Sequence, residues 1–184
     1  MKPAAAASHV IRPAQERDIP GIVAIYDAIL AEEEAGRRRV GWHRGVYPTE
    51  QTARAALKAG DLFVMAQDGG IVASCRINRR QEDSYAGFQW RHAAPDDQVM
   101  VLHTLTVAPW AEGRGCARAF VRYYEDYAAR HGCPCLRMDT NAINTAARSL
   151  YKKLGYTESG IVPTTFNGIG GVMLVGLEKW IGDM

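Results

Sequence analysis

This 184-residue chain has little net charge, no long apolar run and few cysteines, and each scarcity excludes a class of protein. A formal charge of +2 without a long basic stripe argues against a nucleic-acid-binding protein, and the arginines at 37–39, which follow glutamates at 32–34, are interpreted as a solvated helix end. The uncharged run 159–177 contains Pro163, Asn167 and several glycines, so it is not a continuous membrane-spanning helix. The chain starts without an apolar stretch of signal-peptide length. We therefore expect a soluble cytoplasmic protein that binds neither membranes nor nucleic acid.

The four cysteines predict neither a metal site nor a disulfide framework. Cys133 and Cys135 are separated by one residue, which is too few for the usual zinc spacing, and no pair of histidines accompanies them. Cys135 begins an apolar run, where cysteine behaves as a small hydrophobic residue. We expect reduced, structural thiols, as in cytosolic proteins, and no metal.

Two common nucleotide-binding motifs are missing as well. The chain has no GxxxxGK[ST] sequence, which excludes a P-loop. It also has no GxGxxG in a first strand–helix turn with an acidic residue following, so a Rossmann dinucleotide site is unsupported.

The order of apolar patterns predicts a single mixed α/β domain over residues 1–184 with one main sheet. Asp68 and Gly69 predict a tight hairpin between two strands, and a long polar and aromatic excursion follows them. The expected elements, in order, are a strand at 9–14, a helix from 19 to about 36, a helix at 49–60, strands at 62–67 and 71–77, the excursion at 81–98, a buried strand at 99–107, a helix at 114–131, a strand at 135–140, a helix at 144–154, and strands near 156–162 and 172–178.

A glycine-rich turn joins the longest apolar strand to the next helix, in the sequence VAPWAEGRGCARAF. The strand stops at Pro109, the chain turns on Gly113 and Gly115, and the helix starts at once. Amides without intrahelical partners and the helix dipole favour an anion at such a place, and glycines allow a diphosphate to approach the backbone. Arg114 and Arg118 add positive charge. The turn favours a diphosphate site, although an ordinary strand-to-helix turn has the same glycines.

A second motif, NAINTAARSLYKKLGY, follows one strand later. Asn144 is expected to cap a helix, Ala147 and Tyr151 lie on or near one face of it, and Gly155 ends it. On its own, Tyr151 is typical of an amphipathic core residue.

Together the two motifs resemble the Gcn5-related N-acetyltransferase (GNAT) family. The resemblance rests on Val107-Ala-Pro109 followed by EGRGCA, and on N-x-x-A-x-x-x-Y ending in LGY. It implies an N-acetyltransferase that uses acetyl-CoA as acyl donor and needs no metal. It also implies a mostly antiparallel sheet flanked by helices, in which the strands at 99–107 and 135–140 splay apart to form a wedge for the donor.

The resemblance further implies roles for individual residues. Backbone groups near Leu105 pair with the pantetheine arm, amides from Gly113 to Arg118 hold the pyrophosphate, and Tyr151 lies by the sulfur. The implied cofactor-binding residues are Leu105, Thr106, Val107, Gly113, Arg114, Gly115, Cys116, Ala117, Arg118, Asn144 and Tyr151. One departure concerns Glu112, which stands where the family usually has Gln or Arg. We expect its carboxylate either to point into solvent or to be screened by Arg114.

Direct transfer to an amine is the mechanism that this resemblance suggests. Tyr151 is expected to protonate the leaving thiolate, and the Leu105 N–H to stabilise the charge that develops on the carbonyl oxygen. His103, expected on the same strand face as Val101, Leu105 and Val107, is the catalytic base that we expect, since some family members carry a Glu or His along this strand. A buried structural histidine and a water relay through backbone carbonyls are the alternatives.

The acceptor is expected to be a small-molecule amine or a peptide amino group. Trp42, Tyr47, Tyr85 and Trp90 are candidates for an aromatic wall. Asp96 and Asp97 are candidates for attracting a cationic amine. A homodimer is expected by analogy alone. The competing hypotheses are a catalytically silent acyl-CoA-binding sensor and, more remotely, a nucleic-acid binder that uses the basic residues near 37–39 and exposed aromatic side chains.

Overall fold

The computed structural model describes residues 9–182, which contain seven strands and four α-helices. The strands are β1 (His9–Pro13), β2 (Leu62–Gln67), β3 (Gly70–Asn78), β4 (Val99–Val107), β5 (Cys135–Asn141), β6 (Thr157–Phe166) and β7 (Ile169–Trp180). The helices are α1 (Ile19–Glu34), α2 (Glu50–Ala59), α3 (Cys116–Arg130) and α4 (Thr145–Lys153). Within the described residues, no helix is long and apolar enough to cross a membrane.

The strands form one sheet in the order β1-β2-β3-β4-β5-β7-β6. Neighbouring strands are antiparallel except β4 and β5, which run parallel. This confirms the mixed, mostly antiparallel sheet flanked by helices. The last two strands are longer than the sequence indicated, because β6 and β7 form one hairpin that turns at Asn167 and Gly168, both with positive φ.

The predicted caps explain where two helices begin and end. The Thr49 hydroxyl accepts a hydrogen bond from the Thr52 amide at the start of α2, and Gly60, with φ of 76°, ends that helix in the left-handed conformation that suits glycine. The Asn144 side chain accepts from the Ala147 amide at 3.2 Å and starts α4.

α3 is fixed against the parallel strand pair by a buried tyrosine. The Tyr124 hydroxyl donates to the carbonyl of Met100 in β4 at 2.6 Å and lies 3.1 Å from the carbonyl of Arg137 in β5. Its ring is fully buried together with Phe120 and Val121 of the same helix. The helix that follows the glycine-rich turn is therefore held rigidly over both strands of the predicted wedge.

The connection from β3 to β4, residues 79–98, is packed against the sheet and is termed the β3–β4 segment. Phe88 and Tyr85 of this segment are buried in an apolar cluster with residues of β4, β5 and β7. The guanidinium of Arg137 lies 3.2 Å from the Glu178 carboxylate, donates to the His92 carbonyl at 2.8 Å, and lies over the Trp90 ring. These contacts hold the β3–β4 segment against β5 and β7.

Gly176 of β7 gives the Phe88 ring its place, because a Cβ at this position would lie 2.7 Å from two ring carbons. We expect Gly176→Ala to destabilise the protein by about 1–3 kcal/mol through overpacking, and to lower the Tm by several degrees. Thermal unfolding measures the change. Gly170→Ala in the same strand is the matched control, since a Cβ there meets nothing within 4 Å. Equal Tm values for the two variants would contradict the close packing of Phe88.

Candidate active site

β4 and β5 separate part-way along their length. Their parallel register runs from Val99 and Cys135 to Leu102 and Met138, while the strands continue to Val107 and Asn141. The carboxyl ends of the two strands therefore leave a wedge between them. The predicted splay is thus present in the structure.

A β-bulge at Thr104 changes which side chains of β4 face each layer. Thr104 has a φ of 52°, and the register with β3 shifts between Ser74 and Arg76. Before the bulge Val101 packs with the β3–β4 segment, whereas after it Leu105 packs against the cluster that contains α3. The expectation that His103 shares a face with Leu105 and Val107 was wrong, because the extra residue reverses the alternation.

The wedge opens into a cavity of about 880 Å³, here termed the wedge cavity. Nine of the predicted cofactor-binding residues line it: Leu105, Val107, Gly113, Gly115, Cys116, Ala117, Arg118, Asn144 and Tyr151. Two others do not. Thr106 lies on the other face of β4, where its buried hydroxyl is 2.7 Å from that of Ser74, and Arg114 is exposed at the turn.

The amino end of α3 faces this cavity with free backbone donors. Gly115 caps the helix in the left-handed conformation, and the first helical hydrogen bond runs from the Ala119 amide to the Gly115 carbonyl. The amides of Cys116, Ala117 and Arg118 consequently lack intrahelical acceptors. Such an end attracts an anion through these donors and the helix dipole.

Glu112 is paired with an arginine from the connection between α1 and α2. Its carboxylate forms an ion pair with Arg38, whose side chain is 21% exposed and whose pKa is lowered by burial. The screening cation is therefore Arg38 and not Arg114, and the Glu112 side chain, which is 52% exposed, also faces solvent as one alternative expected. The interpretation of 37–39 as a solvated helix end was wrong for Arg38, which lines the wedge cavity with both neighbouring arginines.

A second, smaller cavity of about 120 Å³ adjoins the wedge, here termed the acceptor cavity. Six residues line both cavities: Arg38, Val40, Leu105, Asn144, Ala147 and Tyr151. The acceptor cavity also has charged side chains of both signs, from Arg76, Glu82 and Asp139. The two spaces therefore meet at residues that include Asn144, Ala147 and Tyr151 of the second sequence motif.

Asp139 is a titratable group of this cavity that no sequence pattern singled out. Its Oδ2 accepts a hydrogen bond of 2.7 Å from the Tyr85 hydroxyl. Burial raises the pKa of Asp139 to about 7, and the nearby Glu82 carboxylate acts in the same direction. A carboxyl with this pKa exchanges a proton near neutrality, which suits a general base. In the sequence, Asp139 is one of several polar residues at the end of β5, and only its position in the folded cavity marks it as a candidate base.

His103 also lines the acceptor cavity, and its environment differs from that of Asp139. Burial, followed by the positive charge of Arg76, lowers the pKa of His103 to about 3. Its Nε2 lies 3.0 Å from the Asn78 Oδ1, and its Nδ1 lies 3.3 Å from a Glu82 oxygen. With this pKa the imidazole is neutral but weakly basic at pH 7.

Tyr151 stands at the junction of the two cavities. The residue is 6% exposed, and burial, with Asp139 next, raises the pKa of its phenol above the ordinary value. Its hydroxyl has no hydrogen-bond partner among residues 9–182, while its ring packs edge-on against Tyr156. The phenol therefore stays protonated and can donate into the cavities.

The expected aromatic wall divides into two groups. Trp42 and Tyr47 line the acceptor cavity, and the Tyr47 hydroxyl is hydrogen-bonded to Thr104. Tyr85 and Trp90 do not line the cavity and instead pack against Phe88. Asp96 and Asp97 lie outside the lining, on the exposed part of the β3–β4 segment, whereas the carboxylates of Glu82 and Asp139 line the cavity.

Comparison with known proteins gives the family. The profile of the acetyltransferase (GNAT) family matches residues 23–156, which is more than half of the chain. The chain belongs to the acetyltransferase (GNAT) family. The sequence-based identification of the family is confirmed.

Individual relatives match part of the chain in sequence and nearly all of it in fold. Over 80 residues the chain is 34% identical to mycothiol acetyltransferase of Renibacterium salmoninarum, a match that covers 41% of this chain and 24% of that protein. It spans less than half the length of the curated relatives it matches. A GNAT acetyltransferase structure from Streptococcus agalactiae superposes with a TM-score of 0.79 at 22% identity, covering 94% of this chain and 95% of that one. A Salmonella typhimurium protein solved with its cofactor acetyl-CoA superposes with a TM-score of 0.68 at 17% identity, covering 96% and 95%.

Proposed function

We propose that this GNAT protein, acting as one domain, transfers the acetyl group of acetyl-CoA directly to a small-molecule amine. The observation that supports this proposal most strongly is the meeting of two cavities at Tyr151: a large one lined by the glycine-rich turn and a small one lined by charged and aromatic side chains. A donor and an acceptor held in these spaces share one wall. That arrangement brings reacting groups together without a covalent enzyme intermediate.

The wedge cavity fits the acyl donor. The free amides of Cys116, Ala117 and Arg118 suit a diphosphate, and the side chain of Arg118 adds charge. Beyond Leu102 and Met138, β4 and β5 no longer pair with each other, which leaves backbone next to the space for a pantetheine arm. When bound, acetyl-CoA supplies an activated thioester carbonyl.

The residues of the junction supply proton transfer. We assign Asp139 as the base that takes the proton lost by the amine as the C–N bond forms. Tyr151 gives a proton to the sulfur as the C–S bond breaks, so that the products are the acetamide and CoA thiol. The Leu105 N–H is the candidate donor to the carbonyl oxygen, because Leu105 lines both cavities.

His103 is the alternative base, and its low pKa makes it the weaker of the two candidates. A base is most effective when its pKa lies near the operating pH, and this condition is met at about 7 for Asp139 and not at about 3 for His103. His103 then serves to position Asn78 and Glu82 at the edge of the cavity.

The size of the acceptor cavity favours small amines over folded protein acceptors. Its volume of about 120 Å³ is enclosed by the α1–α2 connection, β4, β5 and the β6–β7 hairpin. A cytoplasmic location accords with the four buried, free thiols. The sensor hypothesis is disfavoured by a junction that retains both a base and an acid.

A ligand titration tests the donor site. We expect acetyl-CoA and CoA, each at about 100 times its Kd, to add roughly 2.7 kcal/mol to the free energy of unfolding, which raises the Tm by a few degrees. ATP should change the Tm little. Release of CoA thiol in the presence of an amine panel tests transfer. Absence of any shift at millimolar acetyl-CoA would reject the donor assignment, whereas a shift without thiol release for any amine would favour the sensor.

A further inference from the structure

The guanidinium of Arg76 lines the acceptor cavity with most of its hydrogen-bonding capacity unused. Arginine carries five N–H donors. Among residues 9–182 the side chain of Arg76 has one partner, a Glu82 oxygen 3.4 Å from Nη2. Its Nε is buried without any partner. A buried donor without an acceptor is costly and points to a group missing from the described residues.

The charge of Arg76 acts on the reactive end of the cavity. It favours the ionised forms of Asp139 and Tyr47 and disfavours the protonated form of His103, so all three groups lie within its field. Arg76 pairs with His103 across β3 and β4, at the bulge that forms the rim of the cavity. One cavity thus contains a cation with a single long ion pair, to Glu82, and a second carboxylate, Asp139, that is not paired with it among the described residues.

Such a pair of opposite charges complements a zwitterion. An ammonium group is attracted by the two carboxylates, and a carboxylate matches the planar fork of a guanidinium bidentately. We propose that the acceptor is a free amino acid, whose carboxylate is bound by Arg76 while its amine faces Asp139. This inference rests on the proposed function and specifies the substrate class of the same site.

Arg38 also lines this cavity, but it is less suited than Arg76 to bind the carboxylate of an acceptor. It is already paired with Glu112 and lies in the field of Glu32 and Glu33. Arg38 also lines the wedge cavity, where the anionic part of the donor is expected. Arg76 lines the acceptor cavity and does not line the wedge cavity. Its unused N–H donors are therefore available to the acceptor.

Matched triplets of acceptors test the proposal on the unmodified protein. Each triplet contains an L-amino acid, its primary amide and its decarboxylated amine, for example phenylalanine, phenylalaninamide and phenethylamine. Thiol release is measured with acetyl-CoA, and rates are expressed per concentration of unprotonated amine. We expect at least one amino acid to exceed both partners in kcat/KM by about 10- to 100-fold, the range of a charge-assisted hydrogen bond.

Variants then assign the preference to Arg76. Arg76→Gln should lower kcat/KM for the acid about 10-fold or more beyond any loss that its amide and its decarboxylated amine share, so that the preference for the acid disappears, and Arg76→Lys should restore part of that preference. A residue that only holds Glu82 in place would affect all three members of a triplet alike. Arg91→Gln, an exposed arginine outside the cavity lining, is the control that should keep the wild-type preference.

The outcomes separate this inference from the proposed function. Acetylation of amides and simple amines as fast as of amino acids would overturn the inference and leave the amine acetyltransferase in place. A preference for acids that survives in Arg76→Gln would overturn the role of Arg76. Failure of every amine in the panel, with an intact thermal shift by acetyl-CoA, would overturn the proposed function itself.

Discussion

Replacing Asp139 by Asn should lower kcat/KM by about 10²- to 10⁴-fold and remove the rise of activity with a midpoint near pH 7. The base form of the carboxylate is populated only above its pKa, which burial raises to about 7. The amide is nearly isosteric and keeps an oxygen for the Tyr85 hydroxyl, so the loss measures proton transfer rather than packing. A pH profile of kcat/KM for the best acceptor, recorded for the wild type and the variant, gives both the fold-loss and the midpoint.

Asp96→Asn is the control, because this carboxylate lies outside the cavity, where it accepts a hydrogen bond from Gln81. It should keep the wild-type profile. The pH at which activity falls also separates the two candidate bases. A limb near pH 3 that persists in Asp139→Asn and disappears in His103→Gln would assign the base to His103, whose pKa is about 3.

The same carboxyl makes the stability of the protein depend on pH. Because burial raises the pKa of Asp139 from 3.8 to about 7, the native state binds more protons than the unfolded state between these values. The contribution of this group to the free energy of unfolding therefore falls as the pH rises from about 4 to 7. Urea unfolding at pH 5 and pH 8 should show the Asn variant gaining stability relative to the wild type at the higher pH.

Replacing Tyr151 by Phe should lower kcat on the order of 10²-fold or more, while the Kd for acetyl-CoA changes by less than a few fold. The phenol has no partner within residues 9–182, so removing its oxygen breaks no internal hydrogen bond. What is lost is the proton for the leaving sulfur. Single-turnover rates and an acetyl-CoA thermal-shift titration measure the two quantities separately.

Tyr156→Phe is the matched control, since this phenol lies five positions along and donates to Glu125 at 3.1 Å outside both cavities. It should cost about 1 kcal/mol of stability and leave turnover unchanged. Unchanged turnover in Tyr151→Phe would reject the acid assignment and favour solvent as the proton source.

Much of the lining of the wedge cavity could be predicted from the sequence because that lining is built from local chemistry. The free amides at the start of α3 follow a glycine in the left-handed conformation, and an asparagine caps α4. Both features depend only on a few residues that are adjacent in sequence. Gly115 and Asn144 therefore signal their structural roles directly. The positions of Leu105 and Tyr151 followed from the resemblance, and the structure brings both to the junction of the cavities.

The acceptor side depends on contacts between distant segments, which no local pattern encodes. The bulge at Thr104 reverses the alternation of β4, and an apolar run such as 99–107 shows no sign of it. Asp139 becomes a candidate base only when Tyr85, more than fifty residues earlier, packs against it. The partner of Glu112 was misidentified for the same reason, since Arg38 comes from a connection remote in sequence.

The wall that the two cavities share also links the two binding equilibria. Arg38, Asn144 and Tyr151 contact both spaces, so a change in their position on binding one ligand alters the site for the other. Such coupling is reciprocal by thermodynamic necessity: the factor by which the acceptor changes donor affinity equals the factor by which the donor changes acceptor affinity. If the proposed donor and acceptor bind as described, we therefore expect occupancy of the wedge cavity to change the affinity of the smaller cavity for the acceptor.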